Sequence, residues 1–122
     1  MDLLFMVWRV LHILLGVLWV GAIFLIAVFV GPAIADAGPD GGKVMAALVK
    51  RRLLNVVPTF AAVTIISGFW LYWRDSSAMQ GPWVHSATGR TLGIGAVLSL
   101  VAFVIGLTVM RPSTLRAVAR YV

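Results

Sequence analysis

The chain has 122 residues, 61% of them hydrophobic and 11% charged, with a net charge of +6 and no cysteine. The missing thiols exclude disulfides, iron–sulfur clusters, thiolate nucleophiles and cysteine-linked lipids. The acidic residues are Asp2, Asp36, Asp40 and Asp75, all in loops or at the terminus, which excludes a paired-carboxylate site or a proton-carrying acid within an apolar segment.

Three windows, 10–34, 53–73 and 91–110, run without charge for about the 20 positions that a helical crossing requires. None shows the two-residue alternation of a barrel strand. The sequence therefore predicts an all-α integral membrane helical bundle forming one domain, 1–122. Its three transmembrane helices fall at about 3–30, 53–73 and 84–110, and a short amphipathic helix lies on the inner membrane surface.

Lys43, Lys50, Arg51 and Arg52 follow the first span, and Arg111, Arg116 and Arg120 follow the third, whereas Arg9, Arg74 and Arg90 belong to the other side. The positive-inside rule then puts the N-terminus outside and the C-terminus inside, with a bacterial inner membrane as the matching location. Basic residues set beside spans have the bilayer as their partner, not nucleic acid. Trp8, Trp70, Trp73 and Trp83, with Tyr72, fall at the expected outer ends as an aromatic belt, which leaves Trp19 alone in mid-helix.

In chain order, the first helix is expected to close at Gly31-Pro32. Ala33-Ile34-Ala35 resembles a signal cleavage site, but the apolar stretch before it far exceeds an h-region of about 7–15 residues and no positive charge lies in 1–8, so the span is expected to be retained. A turn is expected over 36–42, followed from Lys43 by the surface helix "KVMAALVKRRLL". In the second span Pro58 is expected to kink the helix or begin its membrane portion, and Thr64, Ser67 and Gly68 share a face suited to packing.

The outer loop "RDSSAMQGPWVHSATGR" holds a Gly81-Pro82 turn, and a short helix from Trp83 is expected to continue into the third span. Two small-residue stripes follow: His85, Gly89, Gly93 and Ala96, then Gly95, Ser99, Ala102 and Gly106. Gly93-Ile94-Gly95 is not a nucleotide loop, because no strand precedes it and it lies inside an apolar run.

The residues that could carry chemistry are in the first span. Phe5, Arg9, His12, Gly16, Trp19 and Ile23 recur at helical spacing on one face, which aligns two costly polar side chains with a small residue and an indole. A neutral imidazole can ligate a metal, and a guanidinium can hold a carboxylate. A haem with its iron on His12 and a propionate near Arg9 satisfies both, with Gly16 making room for the macrocycle and Trp19 lining its edge.

The bland alternative also stands. Arg9 can snorkel to headgroups and His12 can bond to a neighbouring helix. His85 is the obvious second ligand, but the axial offset from His12 is roughly 12 Å at 1.5 Å per residue, at the limit of an imidazole pair's reach. It can instead meet a propionate or a quinone headgroup, and Met79 and Met6 are weaker ligands. No triad spacing is present, and two histidines without cysteine make a poor zinc site.

At these residues the sequence resembles a superfamily of small membrane proteins that includes the HemJ protoporphyrinogen oxidases, the CopD copper-resistance membrane domain and the membrane domain of PuuD-type urate oxidases. The resemblance rests on "LHILLGVLWVGAIFL" with His12, Trp19 and Gly21, "RRLLNVVPTFAAVTIISGFWLYW" with Pro58, Gly68 and Trp70, and "GPWVHSATGR", across residues 8–106. It implies a haem b-binding bundle with His12 as axial ligand and an electron-transfer or redox role, HemJ-like proteins oxidising protoporphyrinogen. The sequence departs from the HemJ pattern in "AIFLIAVFVGPAI" and in having Arg90 where a lysine is expected. Those relatives have four or more helices, so three spans imply a pocket completed by homo-oligomerisation or by partner membrane subunits. The alternative class is a non-catalytic accessory subunit of a larger membrane complex; a metal transporter is disfavoured by the scarcity of ligands.

Overall fold

The structure, a computed structural model, describes residues 2–121. Among them no strand occurs, and three helices are long and apolar enough to cross a membrane: α1 (Leu3–Asp36), α3 (Leu53–Asp75) and α5 (Ala87–Tyr121). Between them lie α2 (Pro39–Lys50) and the single turn α4 (Gly81–Val84). The protein is thus an all-α membrane helical bundle. Its cationic loop and C-terminal segment form a basic end, and Asp2, Asp75 and α4 mark the N-terminal end.

Four boundaries differ from the expectations. α1 does not close at Gly31-Pro32 but continues to Asp36, because the chain widens into a π turn over Ile26–Val30 just before the proline. The Gly31 N–H reaches the Ile26 carbonyl five residues back, and the wider turn accommodates a ring that would clash in a regular helix. α5 repeats the device. Its π turn Gly106–Met110 precedes Arg111-Pro112, and the helix runs on to Tyr121 instead of ending near residue 110.

The expected turn at 36–42 is shorter, and α2 starts at Pro39, with Gly38 in front of it at φ 57°. A proline in the first helical turn loses nothing by lacking an N–H, which is why Pro39 begins a helix. The short helix at Trp83 does not continue into the third span. Ser86 interrupts it as the N-cap of α5, its Oγ accepting from the Gly89 N–H at 3.1 Å.

α3 is the central element. It packs closely along α1 and more sparsely against α5. Few side chains are fully buried in protein, and the outward faces of α1 and α5 expose many large apolar side chains along their lengths, as lipid-facing helices require, with Arg9 and Arg90 toward the N-terminal end and Arg116 and Arg120 toward the basic end. At the N-terminal end Trp8 stacks on Trp70 at 5.3 Å between centroids and 25° between planes, and Arg74 lies over the Trp70 and Phe5 rings at 5.3 and 5.8 Å. Arg74 also pairs with Asp2, whose carboxylate caps α1 through the Phe5 N–H at 2.7 Å. On the other flank Tyr72 meets Trp83 edge-on at 5.1 Å and donates to the Gly89 carbonyl at 3.0 Å. Two of the expected belt residues, Trp8 and Trp70, therefore join helices, whereas Trp73 is 52% exposed.

The backbone between α3 and α4 takes a left-handed course at Ser77, Ala78 and Met79, with φ of 49°, 64° and 65°. Ser76, completely buried, holds it by accepting from the Met79 N–H at 2.9 Å and donating to the Trp73 carbonyl.

Pro58 lies inside α3 and not at its start. It cannot give the N–H that the Leu54 carbonyl would accept, and in hydrocarbon an unpaired carbonyl is costly. The Arg111 guanidinium of α5 donates to that carbonyl. Replacing Arg111 with alanine is expected to cost about 1–3 kcal/mol. In a Pro58→Ala background, where the backbone donor is restored within α3, the cost should shrink. A double-mutant cycle of detergent unfolding checks this, and equal costs in both backgrounds would refute the pairing.

Asp2 gives a pH dependence. The Phe5 N–H first, then Arg74, hold its carboxyl below the ordinary value of 3.8. A lowered value in the fold means that the stabilisation is present above the ordinary value and is lost as the pH falls through the folded one. Between about pH 5 and pH 2 the tryptophan emission at the Trp8–Trp70 stack should change as the clamp loosens, and Asp2→Asn should remove that pH dependence.

Candidate functional site

Helix periodicity turns Phe5, Trp8, His12, Leu15, Gly16, Trp19 and Ala22 inward, all half-buried, and leaves Arg9 and Ile23 exposed. The expected single face is thus split. Arg9 lies about 100° around the helix from Trp8, and a guanidinium turned away from the helix contact avoids desolvation. Arg9 makes no hydrogen bond or ion pair with any described residue.

His12 meets α3 where that helix presents hydroxyls and a glycine. Its Nδ1 is 2.8 Å from the Thr64 carbonyl oxygen and 3.3 Å from Ser67 Oγ. A carbonyl only accepts, so Nδ1 carries the proton and donates. The Ser67 hydroxyl is spent on its own helix, with Oγ 2.7 Å from the Val63 carbonyl and 3.0 Å from that of Thr64, and its oxygen is left to accept from His12. Thr64 likewise donates to the Phe60 carbonyl at 2.7 Å. Gly68 is required here, because a Cβ on it would stand 2.7 Å from His12 Cε1.

With the proton on Nδ1, a neutral His12 has its lone pair on Nε2, which bonds to no described residue. This is the arrangement found behind metal-ligating histidines, in which a backbone carbonyl fixes the tautomer and the ring plane. Among the described residues no three histidine or aspartate side chains gather, so the protein offers one donor and not a cage. A porphyrin brings four nitrogens of its own and asks the protein only for axial ligands. A single unengaged imidazole nitrogen is the donor type that a haem iron takes, whereas Arg9 is turned off the inward face and neither His12 nor Arg9 lines a cavity.

The other expected residues lie elsewhere. The room beside Gly16 is taken by the Thr64 methyl, 3.3 Å from where a Cβ would stand. Trp19 lines a cavity of about 680 Å³ between α1, α3 and α5 at the basic half, with Pro58, Ala61, Ala102 and Arg111. His85 is exposed and borders a separate open groove of about 560 Å³ with Tyr72, Arg90 and Gly93. Neither space is lined by His12. Sequence reasoning missed Trp8 and the Thr64 carbonyl as partners of this face; the cluster of Thr64, Ser67 and Gly68 was the available signal for where His12 docks.

No family model matches the chain, and neither a curated protein nor a solved structure matches it.

Gly68→Ala should drive the imidazole off α3 and destabilise the α1–α3 contact by about 1–3 kcal/mol. Gly21→Ala, with nothing within 4 Å of its Cβ position, is the control and should be neutral. Equal midpoints for the two variants in thermal unfolding would contradict the packing at His12.

Proposed function

We propose that the protein is a small haem b-binding module of a bacterial inner membrane, with its N-terminus outside and an electron-transfer or redox role. The observation that supports this best is the His12 Nδ1–H donated to the Thr64 carbonyl, which leaves Nε2 as an unengaged ligand. His12 serves as proximal ligand and Arg9 as the propionate partner. When bound, the haem supplies a one-electron couple. The chain's own part is to hold His12 in one tautomer on the Thr64 carbonyl and to keep its ring against Gly68. The resemblance to the HemJ, CopD and PuuD membrane domains points the same way. Homo-oligomerisation or a partner membrane subunit would complete the enclosure, because His12 lines neither the cavity at Trp19 nor the groove at His85.

A second reading has its own support. The Nδ1 bond alone can serve as a polar pin between helices, and Gly95, exposed, has nothing within 4 Å of its Cβ position, which leaves a close-approach point on α5 for another helix. On this reading the chain is a non-catalytic subunit of a larger membrane complex.

Absorption spectra of the protein expressed with haem supply, oxidised and dithionite-reduced, separate the two. A Soret band with reduced b-type bands, lost in His12→Ala and weakened in Arg9→Leu, is expected for the haem module. A folded sample with no band, and a His12→Ala variant that changes only stability, would leave the accessory reading in its place.

A further inference from the structure

The cavity at the basic half has no part in the reading above, and its lining is amphipathic in a particular order. From the bundle centre outward, Trp19, Ile23, Ala61, Ala102 and Phe103 give an apolar slot, and Arg111 and Thr114 stand where it reaches the basic end. One Arg111 N–H group goes to the Leu54 carbonyl, and a guanidinium has five N–H donors in all, so the side chain is anchored and still has donors to give. Arg52, exposed, immediately precedes Leu53, which also lines the space.

The charge around the opening is strongly one-sided. Lys43, Lys50, Arg51, Arg52, Arg111, Arg116 and Arg120 belong to this end, against Asp36 and Asp40, and Asp40 is engaged by Lys43 at 3.0 Å. The cavity lies between α1, α3 and α5, in a protein whose spans are surrounded by acyl chains.

We propose that this cavity is a binding site for an anionic phospholipid, which lays one acyl chain between α1, α3 and α5 and places its phosphate on Arg111, with Arg52 as second cation. Charge complementarity selects the headgroup and the apolar slot selects the tail. A zwitterionic lipid offers the same tail but adds a cation to a cationic rim, so discrimination of about tenfold is expected.

The test is native mass spectrometry of the full chain in detergent, offered equal amounts of dioleoylphosphatidylglycerol and dioleoylphosphatidylcholine. The wild type should retain one phosphatidylglycerol about tenfold in preference. Arg111→Gln, which removes the charge but keeps side-chain N–H donors, should lose most of that preference, and Arg111→Lys should keep most of it. Ala102→Phe, which fills the slot and leaves every cation in place, should abolish the retained adduct while the helical circular dichroism is unchanged. Excess glycerol 3-phosphate should not displace the lipid. Equal retention of the two lipids, an unchanged preference in Arg111→Gln, an adduct that survives Ala102→Phe, or displacement by glycerol 3-phosphate would each overturn the site, the last by showing that only a surface anion is read.

Discussion

A backbone carbonyl in hydrocarbon must find a donor, and the structure is arranged around the places where proline denies it one. Pro32 and Pro112 follow π turns, and Pro58 leaves the Leu54 carbonyl to the Arg111 guanidinium of another helix. That bond fixes the third span against the second at the basic end. The Tyr72 hydroxyl on the Gly89 carbonyl does the same at the other end, so α3 is tied to α5 by polar groups where the apolar contact is sparse. Packing alone is a weak adhesive between helices that lipid solvates equally well, which is why these few polar ties matter.

The contact between α1 and α3 follows different logic. It is long, and its polar component is His12 on Thr64 and Ser67, half-buried below the stacked Trp8 and Trp70 and the Arg74 guanidinium. The same bond that makes His12 a good helix pin also fixes its tautomer, and on the haem reading proposed above the unengaged Nε2 is what would meet the iron. Structural and functional readings of this residue are therefore not competitors at the level of the bond; they diverge only in what meets the second nitrogen.

Much of this was legible in the sequence, and the limits have physical causes. The three crossings were visible because an uncharged run of about 20 residues has few other uses. Gly31-Pro32 misled because a proline ends a helix in water, where the chain has alternatives, but in an apolar span a wider turn is cheaper than an exposed backbone. The split of Arg9 from His12 was hidden because a four–three repeat spreads over a broad arc, and only the partner helix decides which part of the arc is interior. Arg111 on Leu54 could have been anticipated from Pro58, whose missing donor names the carbonyl four residues back, although nothing in the sequence says which cation answers it.

The two π turns lie toward the same end of α1 and α5, and beyond them the chain forms its own small packed unit. Gly41 lies directly against the Ile34 backbone and Gly42 against the Tyr121 ring, and Ala46 and Val118 are among the most buried side chains. All three spans enter this cap, α1 and α5 as continuous helices and α3 through the two-residue connection at Arg51 and Arg52, so the basic end is closed by a protein lid on which every span converges.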